Sequence, residues 1–155
     1  MDDLLLKILP GIFVAIFSSW LSAQWALRKF YSEKWWDRRE RAYAEIVNAL
    51  YDLVRYFSVH KEDYGHGTGY SIDKESELYQ NYEKSYWALK KATDIGSFYI
   101  STKAQATLTE LRERERLDFE NNPPWDVYEQ EFKYHQDSLN KFIAIAKSDL
   151  RENKA

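Results

Sequence analysis

An uncharged run at positions 8 to 27, ILPGIFVAIFSSWLSAQWAL, constrains this chain more than any other feature. Wound as a helix it would extend about 30 Å, the thickness of a bilayer's hydrocarbon core. A transmembrane helix is therefore expected at 8 to 27, after a short extracytoplasmic segment at 1 to 7. A cleaved signal peptide fits less well, because the leading MDDLLLK is net acidic and no clean small-x-small site surrounds Ala23. A buried soluble helix is the other competing reading. Arg28, Lys29, Lys34, Arg38, Arg39 and Arg41 follow the run, whereas only Lys7 precedes it. By the positive-inside rule the C-terminal side is cytoplasmic, which gives a single-pass protein of the inner (plasma) membrane with the lipid bilayer as its first partner. Trp20, Trp25, Trp35 and Trp36 bracket the boundary, where indoles settle at headgroup level. Trp35 and Trp36 also suit the first core positions of a following helix.

Within the run, Gly11, Ala15, Ser19 and Ala23 recur every fourth residue, and Ser18, Ser22 and Ala26 form an adjacent row. Small residues at that spacing share one helix face and let two backbones approach closely. A homo-oligomer built through Gly11, Ala15, Ser19 and Ala23 is expected; the plainer reading is that Ala and Ser are tolerated in a moderately apolar span. Ser18 and Ser22 would line a wet path if several copies formed a ring.

The remainder is the size of one domain. With 12 Tyr, 8 Phe and 6 Trp against 5 Gly and 3 Pro, the composition favours a few long helices over many short strands. From Ser32 to about His60, Trp36, Tyr43, Leu50 and Phe57 stand seven apart, with Ile46 and Leu53 between them, which predicts a long amphipathic helix continuing from the span. A glycine-rich loop, EDYGHGTGYSID, leads to a second helix capped by Ser71 or Asp73, carrying Leu78, Tyr82, Leu89 and Ala92 and ending near Gly96. Ser101 caps a third, in which Ala104, Leu108, Leu111 and Phe119 face inward and RERER forms a solvated face. Pro123 and Pro124 end it, and a fourth begins at Asp126 with Tyr128, Phe132, His135, Leu139, Phe142, Ala146 and Leu150 on one stripe. The expected fold is all-α: a transmembrane helix, a basic juxtamembrane segment at 28 to 42, and an antiparallel four-helix bundle at 43 to 151. The loops at 61 to 72 and 121 to 125 then share one end of the bundle. There His66, Tyr70 and Trp125 are candidates for binding a cytoplasmic protein, although Trp125 would serve equally as a plug.

The chain has no Cys, which excludes disulfides and thiolate chemistry, and its net charge of -3 offers no general field for nucleic acid. No metal or cofactor site is expected: Glu131 precedes His135 by four residues, not the three of a di-iron bundle, and no matching pair exists. No G-x-S-x-G is present. Arg55 and His60 fit R-x4-H, which resembles the motif of HEPN ribonucleases, helical bundles in which His moves protons and Arg stabilises phosphate charge. On a continuous helix the two would point about 140° apart, so only a helix ending near Ser58 would bring them together.

The uncharged run, the helical remainder with its EKWWDRRERAY segment, and Arg55 with His60 are together similar to the small accessory membrane proteins of type VI-B CRISPR systems. That resemblance implies a degenerate HEPN-like domain and pore assembly in antiviral defence. The expectation is a non-enzymatic membrane-anchored module that self-associates and presents its bundle to a partner. A pore-forming effector of phage defence is the alternative.

Overall fold

The computed structural model describes the backbone of residues 2 to 66 and 72 to 152, and the side chains of 13 to 64, 74 to 96 and 98 to 151. Its elements are α1 (Asp2–His66), α2 (Ile72–Ile95), a 3-10 turn (Gly96–Phe98), α3 (Thr102–Glu113) and α4 (Pro124–Glu152), with no strand among the described residues. The chain divides into two units, residues 1 to 38 and 39 to 155.

In the first unit every described side chain from 13 to 35 is exposed. Phe13, Phe17 and Trp25 are each more than 60 % exposed, so this stretch of helix has no core of its own. Among the described residues no helix is long and apolar enough to cross a membrane. The ILPGI segment at 8 to 12, the beginning of the expected span, lies outside the described side chains, as does Gly11. Ser22 Oγ donates to Ser18 O at 2.8 Å, so the one hydroxyl proton of Ser22 is held by its own helix.

The second unit is a bundle whose neighbouring helices run antiparallel. Asp52 of α1 accepts from Ser85 of α2 at 3.0 Å, and Tyr56 packs on Tyr82, so the two helices run in opposite senses. Lys61 pairs with Glu129 at 3.0 Å at one end of α1 and α4, and Tyr43 stacks with Phe142 nearer the other. The seven-residue seam is the core: Tyr43, Leu50 and Phe57 are buried with Ile46 and Leu53, against Leu89, Leu108, Leu139 and Phe142. Trp36 is half-buried. Gly96 ends α2 as expected and packs tightly, since a Cβ there would meet Ile100 Cδ1 at 2.9 Å.

Ser101 caps α3, its Oγ accepting from Ala104 N at 3.2 Å. The Tyr43 hydroxyl locks that cap to two other helices: it accepts from Ser101 N at 2.9 Å and donates to Asp149 Oδ2. Tyr43→Phe is expected to cost about 1–3 kcal/mol, because it leaves the Ser101 N–H without its acceptor and takes one hydrogen bond from Asp149, which keeps Arg39 nearby. Chemical unfolding of the full chain, compared at equal denaturant slope, measures it.

One boundary differs from the sequence reading. RERER and Phe119 were expected within α3, but α3 stops at Glu113 and Arg114 is extended, with φ -61° and ψ 153°. No Gly or Pro ends the helix there. Instead Arg114 folds inward: Nη1 donates to Leu111 O, one of the helix's last free carbonyls, and Nη2 pairs with Glu131 on α4. Residues 114 to 123 become a loop held by Asp118, whose Oδ1 accepts from Glu120 N at 3.0 Å and Asn121 N at 2.7 Å. Those hydrogen bonds, with Asn121 foremost, hold the Asp118 carboxyl below its usual range. Phe119 is 57 % exposed rather than inward.

Candidate functional site

The most deeply buried charged side chains of the bundle, with a buried histidine, meet where α3 hands over to α4. Glu131 and Arg114 side chains are only 10 % and 6 % exposed and pair directly, with Arg116 Nε 4.0 Å from the second Glu131 oxygen. Leu117 N donates to Gln130 Oε1 at 2.9 Å and fixes the loop beside them. One turn along α4, His135 Nδ1 lies 2.7 Å from Glu131 O. A carbonyl only accepts, so Nδ1 carries the proton and Nε2 keeps a lone pair. Burial pushes the His135 pKa down to about 3, with the Arg114 and Arg116 charges acting in the same direction, and the ring is neutral at physiological pH. Burial lowers the Arg114 pKa as well, while Glu131 opposes that shift.

Sequence reasoning placed His135 on the inward stripe of α4 and weighed Glu131 with it as a metal pattern. It missed Arg114, whose role depends on a contact 17 residues away. The available signal was a carboxylate on the apolar stripe of α4, which demands a buried cation. Among the described residues no group of His, Asp and Glu is arranged to hold a metal ion. Beside this cluster opens a cavity of about 80 Å³, reached by His135, Arg112, Arg114 and Arg116 and floored by leucines.

No match emerged from comparison with protein families, curated proteins or solved structures. The site therefore rests on its own geometry.

Arg55 and His60 do not converge. α1 runs unbroken past both to His66, Arg55 is exposed, and His60 is half-buried with Nδ1 2.9 Å from Tyr56 O. The His60 ring lies against Tyr56 and Tyr128 at 4.1 and 5.2 Å, with no arginine in that packing. His135 stacks on Phe57 at 4.7 Å.

The end of α1 and the start of α4 do meet, as the topology required. Tyr64 stacks on Tyr128 at 5.4 Å, and Phe119 of the loop meets the same ring edge-on at 5.3 Å. Trp125 is 45 % exposed, so its indole is in part open to solvent. The side chains of His66 and Asp73 and all of Tyr70 and Ser71 lie outside the described residues. Burial raises the pKa of Tyr56, Tyr82 and Tyr128, which keeps these phenols protonated further into the alkaline range. Ala15, Ser18, Ser19, Ser22 and Ala23 are all exposed on α1.

Proposed function

We propose that the chain is a membrane-anchored helical module that associates with further copies of itself and offers the aromatic end of its bundle, around Tyr64, Phe119 and Trp125, to a cytoplasmic protein. The observation that carries this reading is the uncovered helix from 13 to 35, where Phe13, Val14, Ile16, Phe17, Trp20 and Trp25 all stand exposed. Leaving such side chains in water forgoes about 1.5–3 kcal/mol each, which lipid tails would recover. The apolar sequence continues back through ILPGI at 8 to 12, and the basic cluster from Arg28 to Arg41 supports a cytoplasmic bundle. The small exposed residues Ala15, Ser19 and Ala23, in line with Gly11 in the sequence, support close helix pairing. A conducting ring has less behind it, because Ser22, one of its two candidate lining serines, already gives its proton to Ser18 O.

Two readouts test the reading on the full chain. Membranes from expressing cells, washed at alkaline pH, should retain the protein; release into the wash would refute anchoring. Light scattering in mild detergent should give a multimer that Ser19→Leu with Ala23→Leu reduces, and an unchanged mass would refute the small-residue interface.

A further inference from the structure

We propose that the cavity lined by α1, α2, α3 and α4 is a binding site for a short-chain carboxylate, its apolar tail on the leucine floor and its anionic head among the arginines. The floor is made by Leu53, Leu89, Leu108 and Leu111, all buried. Four cations reach the cavity: Lys90, Arg112, Arg114 and Arg116. Three carboxylates pair with them, Asp94 and Glu113 on Arg112 and Glu131 on Arg114 and Arg116, so four less three leaves one positive charge over. Lys90 lies over the Trp87 ring at 4.8 Å, with a π-face as its partner. Lys90, Arg112 and Arg116 are exposed or nearly half exposed at the mouth, with the buried Arg114 behind them, so the excess of positive charge there favours an anionic head.

A second, independent observation sits in the same place. Arg114 Nε is buried with no hydrogen-bond partner among the described residues, although both terminal nitrogens of that guanidinium are used. A buried guanidinium with one N–H unpaired gains from a polar group brought beside it, a condition that Arg39 Nε, away from the cavity, shares. Guanidinium groups match carboxylate geometry in a planar, bidentate way that ammonium groups do not. His135 adds only a lone pair at Nε2, which repels a carboxylate, so the head is directed to the arginines and the tail inward.

Size selects the tail. An engineered apolar cavity of about 150 Å³ admits a benzene ring. The roughly half-sized space here, about 80 Å³, suits a few methylene groups instead. The neutral amide of the same acid fits the space equally well but lacks the charge.

The test is a saturation-transfer NMR titration of the full chain in mild detergent with butyrate, butyramide and formate. Butyrate is expected to bind, butyramide to bind at least about tenfold more weakly, and formate, which has the head alone, to fall well below butyrate. Arg116→Ala, in a loop and half-exposed, should leave the fold intact and weaken butyrate by about tenfold. Leu89→Phe, which fills the floor, should abolish binding without removing a charge. The proposal is overturned if butyrate and butyramide bind alike, if butyrate does not bind, or if Arg116→Ala changes nothing.

Discussion

Glu131→Ala is expected to remove about 3–5 kcal/mol of folding stability, the usual cost of leaving one member of a buried ion pair without the other. The carboxylate is shared by Arg114 and Arg116 and lies at the point where α3 stops and the loop returns to α4. Without it, the Arg114 guanidinium stays buried with Leu111 O as its remaining hydrogen-bond partner and the Tyr134 ring beneath it. The penalty is one of desolvation, not simply of a lost attraction, and the double variant separates the two. Arg114→Leu with Glu131→Leu removes both charges and should recover most of the loss, because a well-packed apolar pair replaces a buried ionic one at little cost. Urea unfolding of the full chain followed by far-ultraviolet circular dichroism reads both. A loss below about 1 kcal/mol for Glu131→Ala would mean that the pair is a surface contact and does not set the end of α3.

Acid should weaken the bundle through His135. In the folded state its pKa is pushed down to about 3, whereas in the unfolded chain it returns to its ordinary 6.5. Between those values the unfolded chain holds a proton that the folded chain refuses, so stability rises with pH across the window and is lost as pH falls from about 7 towards 3. The slope for one such group is about 1.4 kcal/mol per pH unit. Arg114 and Arg116 face the ring and reinforce the refusal, while its bond to Glu131 O opposes it. His135→Gln keeps a neutral polar side chain and should flatten the profile between pH 6 and 4 by one proton's worth. An unchanged slope in that variant would assign the acid sensitivity to other groups. Asp118 acts lower on the scale: its depressed pKa loses stability only as pH falls below the ordinary carboxylate range.

What the sequence reveals of this molecule follows from where each signal is written. The seam of Tyr43, Leu50 and Phe57 and the α4 stripe through His135, Leu139, Phe142 and Ala146 are periodic and local, and both sit where periodicity puts them. Ser101 and Gly96 are punctuation that the chain carries explicitly. The end of α3 is different. Arg114, Glu115 and Arg116 are good helix formers, and nothing beside them says stop; the helix ends where Arg114 turns inward to Glu131. That information lies on another helix and becomes visible only when the two are packed. For the same reason the sequence led to Arg55 and His60, whose spacing resembled a motif, and passed over the group that α3 and α4 bring together. A charged residue on an apolar stripe was the clue, and its partner could not be named without the fold.

The absence of cysteine makes the central claim directly measurable, since each introduced thiol is the only one in the chain. Single cysteines at positions 13 to 38 of the full chain, probed in native membranes with a membrane-impermeant maleimide, should be protected from about 13 to 27 and labelled from about 30 onward. Uniform labelling along the whole stretch would contradict a lipid-covered helix and place its apolar face against protein or water instead.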